Sequence, residues 1–158
     1  MILVTGGSGF IGSNIVAALV ARGDRVAVCD RHFDDERARH LAGLDIAEQI
    51  QADDMMAWLA RRDDVSAVVH MGAISATTET DVDLILRTNV WLSIELMDWC
   101  TAQQVPFIYA SSAQVYGDGA LGFDDDPTQE AMADLRTITP YGASKLLFDR
   151  LVARERDA

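Results

Sequence analysis

Tyr141 and Lys145 stand four residues apart in Tyr141-Gly142-Ala143-Ser144-Lys145, directly behind Thr139-Pro140, and Ser112 closes a stretch that begins with the apolar run Pro106-Phe107-Ile108-Tyr109-Ala110. A proline behind a threonine opens a helix, and residues four apart on a helix share one face. A free tyrosine has a pKa of about 10 and is a poor base at neutral pH. An ammonium beside it stabilises the phenolate and brings it towards a working range. A serine hydroxyl at a strand end can bond the same substrate hydroxyl. The three side chains together suit the removal of a proton from an alcohol. A Tyr-x-x-x-Lys spacing alone also describes an ordinary surface pair, so the reading depends on what precedes it.

What precedes it is Ile2-Leu3-Val4-Thr5-Gly6-Gly7-Ser8-Gly9-Phe10-Ile11-Gly12. An apolar strand runs into glycines and then into Ile11, Ile15, Val16 and Leu19 at helical spacing. A side chain at Gly6 or Gly9 would block a pyrophosphate from the amides of the helix N-terminus, where orphan N–H groups and the helix dipole favour anions. Gly12 lets the helix pack closely. Asp30 lies eighteen residues beyond Gly12 at the end of a second apolar run, the place of an acid that binds an adenosine ribose. Strand, glycine turn, helix and acid together point to a nicotinamide dinucleotide. Asp30 favours NAD, whereas Arg31, Arg37 and Arg39 would suit the 2′-phosphate of NADP, so these residues leave the two open.

The elements that must hold these groups follow in alternation. After the first helix, ending near Gly23, come Arg25–Asp30 as a strand, Leu44-Asp45-Ile46 as a short third strand, and Met55 to Leu59 as part of a helix. Val65 to His70 is a β-branched run of the kind a parallel sheet buries on both faces. It leads into Met71-Gly72-Ala73-Ile74-Ser75, small residues that let a cofactor cross the strand's end. A helix spans Asp81 to Gln103, and Pro106 to Ala110 is the next strand. This order predicts an α/β fold: a Rossmann-like doubly wound parallel sheet with right-handed crossovers, helices on both faces and ligands beyond the strands' carboxyl ends. His70 reads as a packed core histidine, and His32 and His40 as solvated.

Composition bounds the function. The 158 residues predict one domain, with 49% hydrophobic and 24% charged residues as in a folded globular protein. A net charge of −12 without a basic stripe argues against nucleic acid or an anionic membrane surface. Cys29 and Cys100 are isolated, which suggests neither a disulfide nor a metal site and fits a reducing cytoplasm. The Asp124-Asp125-Asp126 run reads as a solvated loop, so no metal is expected. No apolar run approaches the roughly 18 residues that span a bilayer, and the chain enters a strand at once without a signal peptide. The helix around 84–100 carries Trp91 and Ile94 beside its main apolar stripe, the pattern expected where a second copy packs in a homo-oligomer.

Through Thr5 to Gly12, Asn89, Ser111-Ser112-Ala113-Gln114-Val115-Tyr116-Gly117 and Tyr141 to Lys145, the chain resembles the extended short-chain dehydrogenase/reductases. Within them it is most similar to the ADP-L-glycero-D-manno-heptose 6-epimerases, through Met71 to Thr80, whose Ser75-Ala76-Thr77-Thr78-Glu79 is the more specific part, and through Pro106 to Ala113 with Tyr141 to Asp149. The resemblance covers essentially the whole chain. It implies an NADP-dependent nucleotide-sugar epimerase of lipopolysaccharide precursor synthesis, in which hydride leaves C6 of the heptose and returns to the other face. Tyr141 would be an acid/base, Lys145 its electrostatic partner and a ribose ligand, and Ser112 a substrate contact. Phe10, Ile11, Asp30, Arg31, the segment Met71, Gly72, Ala73, Ile74 and Ser75, and Asn89 would line the cofactor.

The family adds a second catalytic lysine and a carboxy-terminal substrate domain beyond this motif. The resemblance therefore implies that residues 1–158 form the amino-terminal, dinucleotide-binding part, lacking the last strands and inactive alone. Ser112-Ala113-Gln114 stands where related dehydratases carry Thr-Asp-Glu, which argues against elimination. A UDP-hexose 4-epimerase-like enzyme and a non-catalytic dinucleotide-binding module remain the alternatives, and the module would have no need of Tyr141 and Lys145.

Overall fold

Five short parallel strands carry the first half of the molecule. The computed structural model describes residues 1–156, and these divide into two compact units, residues 1–72 with 96–110 and residues 73–95 with 111–156. In the first unit the strands are β1 (Ile2–Thr5), β2 (Val26–Asp30), β3 (Glu48–Gln51), β4 (Ala67–His70) and β5 (Phe107–Tyr109). They lie in the order β3-β2-β1-β4-β5, every pairing parallel. Strand order thus runs outward from β1 to both sides, the doubly wound arrangement expected from the alternating pattern.

Residues at alternate positions of a strand face opposite ways. Ile2, Val4, Val26, Val28 and Val69 form one buried cluster with Val16 of α1 (Phe10–Ala21) and Leu41 of α2 (Asp35–Leu41). Each such side chain contributes roughly 1.5–3 kcal/mol by leaving water. Leu3 and Val68, on the opposite face, are also fully buried, so both faces of the sheet are covered. Met55 and Leu59 of α3 (Met55–Leu59) are also buried.

The third strand is not Leu44-Asp45-Ile46. Leu44 and Ile46 pack against the core cluster from a loop, and β3 is the polar sequence Glu48-Gln49-Ile50-Gln51, in register with Ala27 to Asp30. As the edge of the sheet it buries only Ile50, so it needs no apolar run. Its first residue is tied down instead: Trp58 Nε1 donates to Glu48 Oε2 at 2.8 Å, Arg62 pairs with the same carboxylate, and the Arg62 guanidinium lies 4.6 Å over the Trp58 ring. The Trp58 hydrogen bond, then the Arg62 and Arg25 charges, hold Glu48 below the usual carboxylate range.

The helical run 82–103 comprises α4 (Val82–Ile85), a segment of wider π turns (Leu86–Trp91) and α5 (Leu92–Gln103). Asp81 caps it, accepting from the Leu84 amide at 2.9 Å. In the second unit a 3₁₀ turn (Ala113–Tyr116), α6 (Gln129–Ala133) and α7 (Pro140–Arg156) pack through Val115, Met132, Leu146 and Ala153. Arg150 closes α6 by donating to the carbonyl oxygens of Met132, Ala133 and Leu135. Among the described residues no helix is long and apolar enough to cross a membrane.

Candidate functional site

In the first unit the site is built at the carboxyl ends of β1, β2 and β4. Gly6 has φ +64°, and a Cβ there would lie 2.7 Å from the Gly72 amide nitrogen. Its glycine is thus required by the close approach of the turn to the segment leaving β4, as well as by the left-handed backbone. A Cβ at Gly12 would run into the Gly6 carbonyl, so α1 can start against the turn only without a side chain there. Thr5 Oγ1 accepts from the Gly72 amide at 3.0 Å and pairs with His70 Nδ1 at 2.6 Å. His70 is buried and stacks on Phe107, the packed histidine expected.

The N-terminus of α1 fits a pyrophosphate. Its cap residue is Gly9, no side chain caps it, and its first turn carries no acid, so its amides and dipole face no competing anion of their own. Phe10 and Ile11 on that turn are 79% and 65% exposed. Ser8 is fixed three ways: its amide donates to Asp30 Oδ2 at 3.1 Å, its hydroxyl to the His32 carbonyl at 2.9 Å, and its carbonyl accepts from His40 Nδ1 at 2.8 Å. His40, on an exposed helix face, therefore has a structural partner that spacing did not reveal. Asp30 Oδ1 accepts from the Arg31 amide at 2.7 Å and from Arg37 at 3.1 Å.

In the second unit Thr139 and Pro140 open α7 as expected. Thr139 Oγ1 accepts from the Gly142 amide at 3.0 Å, and Tyr141 and Lys145 lie on that one continuous helix. Gly142 has a packing role: a Cβ there would sit 2.8 Å from the Gln114 carbonyl. Gln114 is two residues past Ser112, so the glycine beside Tyr141 is what lets the serine-bearing segment lie against the helix. Thr139 Oγ1 also reaches the Gln114 side chain at 3.3 Å. Ser112 is half-buried and accepts from the Gln114 amide at 3.2 Å. Lys145 is buried, and burial lowers its pKa from the ordinary lysine value while Asp149 pulls the other way.

Asn89 sits in the π-turn segment, a distortion frequent at functional sites. Its Oδ1 accepts from the Ile74 amide at 2.8 Å, and its Nδ2 donates to the Ile74 carbonyl at 3.0 Å and to Ser144 Oγ at 3.0 Å. Its polar atoms fix the segment 73–75 and α7. Ser93 Oγ donates to the Asn89 carbonyl at 2.8 Å.

Residues 2–158 match the NAD dependent epimerase/dehydratase family over their whole length. The chain belongs to that family. It is 43% identical to the ADP-L-glycero-D-manno-heptose-6-epimerase of Alkalilimnicola ehrlichii over 99% of this chain and 48% of that protein. It is 27% identical to the crystal structure of the Helicobacter pylori ADP-L-glycero-D-manno-heptose-6-epimerase, with TM-score 0.79 over 98% of this chain and 50% of that one. For UDP-glucose 4-epimerase from Brucella ovis in complex with NAD, the values are 26% and 0.76 over 99% and 48%. The chain spans about half the length of the curated relatives it matches. As in other members of the epimerase/dehydratase family, its cofactor is a nicotinamide dinucleotide.

Other groups of this family member are poorly suited to chemistry. Burial pushes the Cys29 thiol up to about 12, Asp30 adding to the effect, and Cys100 to about 11; such thiols stay protonated and inert. Burial and the charges of Asp125, Asp124 and Asp149 push the Tyr116 phenol up, which makes it no base. Among the described residues no group of His, Cys, Asp and Glu could hold a metal ion. Sequence reasoning missed Thr5, Ser8 and Asp149 as organisers of the site. The signal available for Ser8 was its place inside the glycine turn; Thr5 and Asp149 had none beyond adjacency to the motifs.

Proposed function

We propose that the protein of which this chain is a member or part is an NADP-dependent epimerase that inverts C6 of ADP-D-glycero-D-manno-heptose. The observation that carries it is the second unit's arrangement, in which the Ser112 segment is seated on the Tyr141–Lys145 helix through the glycine at 142. The identity of 43% to a heptose epimerase supports the choice of substrate. Tyr141 takes the proton of the C6 hydroxyl, Ser112 holds that hydroxyl, and Lys145 stabilises the phenolate. A nicotinamide dinucleotide held at the Gly6–Gly12 turn would supply the acceptance and return of hydride. Tyr141 then gives its proton back to the oxygen after the sugar has presented its other face.

For the cofactor, Asp30 is already bonded to the Ser8 and Arg31 amides and paired with Arg37. A carboxylate satisfied in this way repels a 2′-phosphate less, and Arg31 and Arg37 supply cations, which supports NADP over NAD. Calorimetric titration of the chain should give tighter binding of NADP than of NAD, and Arg37→Ala should cut the preference at least ten-fold; equal affinities would contradict the assignment.

The catalytic reading is tested by fusing the chain to the part of a heptose epimerase that follows the matched half, and by following C6 configuration with proton NMR. Conversion that Tyr141→Phe slows by 10²-fold or more is the expected result. Conversion that survives Tyr141→Phe overturns it. The buried free thiols support a reducing compartment, the cytoplasm. Trp91, at 58% exposure, supports a homo-oligomer formed through the region 84–100.

A further inference from the structure

Asp149 stands one helical turn beyond Lys145 on α7, as Lys145 stands one turn beyond Tyr141, so the three share a face. Asp149 Oδ2 accepts from Ser111 Oγ at 2.5 Å, and Ser111 immediately precedes Ser112. On the far side of Ser112, Gln114 is held against α7 by the Gly142 contact and by Thr139. Ser112 is therefore suspended between two attachments to the same helix, and Asp149 makes one of them. Asp149 also bears on the other end of the site. A buried ammonium needs a counter-charge, and the Asp149 carboxylate is the charge that opposes the effect of burial on Lys145. Arg150, its neighbour in sequence, is engaged with the carbonyls that end α6. Tyr116, on the 3₁₀ turn, also feels the Asp149 charge, together with those of Asp124 and Asp125.

We propose that Asp149 is a positioning residue of this site: its carboxylate tethers Ser111, and so aims Ser112, while standing as a counter-charge one helical turn from the buried Lys145. The proposal rests on the reading of Ser112, Tyr141 and Lys145 as the proton-transfer set. Its two halves separate by substitution. Asp149→Asn removes the charge and leaves an oxygen that accepts from Ser111. Ser111→Ala removes the tether and leaves the charge.

Competitive labelling of the chain with acetic anhydride across a pH series, read by peptide mass spectrometry, reports the pH at which Lys145 becomes nucleophilic. Amide hydrogen exchange at Gln114, whose N–H is held by Ser112, reports the seating of the serine. Asp149→Asn should move the Lys145 profile to lower pH and leave Gln114 exchange within two-fold. Ser111→Ala should leave the Lys145 profile in place and speed Gln114 exchange roughly five-fold, as loss of one hydrogen bond would. An unmoved Lys145 profile in Asp149→Asn, or unchanged Gln114 exchange in Ser111→Ala, overturns the proposal. Neither readout needs turnover, so failure here is distinct from failure of the epimerase reading, which Tyr141→Phe tests.

Discussion

Lys145 shows how chemistry and stability oppose each other at a single residue. Its burial makes the folded chain release the lysine proton at lower pH than the unfolded chain does, the Asp149 charge only partly offsetting this. Between those two values the unfolded state holds more protons, so stability rises with pH through that window, and below it the cost of burying the charge is present in full. Lys145→Met should therefore stabilise the chain by about 1 kcal/mol at pH 7, and the gain should shrink as pH climbs towards the ordinary lysine range. Urea denaturation at pH 7 and near pH 10 measures both, and an equal difference at the two would contradict the argument. Asn89 shows the complementary case, a side chain whose polar atoms are occupied by Ile74 and Ser144. Such a residue works by holding others in place.

Among the elements, α7 is decisive, because every residue read as doing proton chemistry sits on it or is fastened to it. Gly142 is the joint. In most exposed helical positions Gly→Ala gains up to about 1 kcal/mol, but here the new methyl would meet the Gln114 carbonyl at 2.8 Å and its Cβ at 3.1 Å. A backbone carbonyl gives way poorly to a methyl, and overpacking of this kind costs about 1–3 kcal/mol. Gly142→Ala should thus lower the melting temperature. A rise would show that the Ser112 segment yields freely, and would weaken the case that it is seated on α7. The π segment at Leu86–Trp91 belongs to the same scale: it sets Asn89 where a regular helix carrying the same residues would not.

For the whole molecule, the exposed Trp91, Val82 and Leu147 of the second unit lead to a prediction about association. Sedimentation velocity should find an oligomer that Trp91→Lys dissociates, and a monomer at all concentrations would contradict it. At this scale the sequence by itself determined the alternation of strands and helices, the glycine turn with Asp30 behind it, the Met55–Leu59 helix, the long run to Gln103 and the Tyr141–Lys145 helix with its Thr139-Pro140 start. These are local features, fixed by spacing, caps and backbone freedom, so they leave a periodic trace in the chain. Only the tertiary structure decided which polar stretch becomes β3, because an edge strand that buries Ile50 alone owes its place to register with Ala27–Asp30. It also decided why Gly6 and Gly142 must be glycines, where the Asn89 side chain is engaged, and that Asp149 holds Ser111. Each of these joins residues far apart in sequence, such as Thr5 with His70, Asn89 with Ser144 and Ser111 with Asp149. Contacts across such separations depend on how packed elements meet, and no repeat along the chain encodes them.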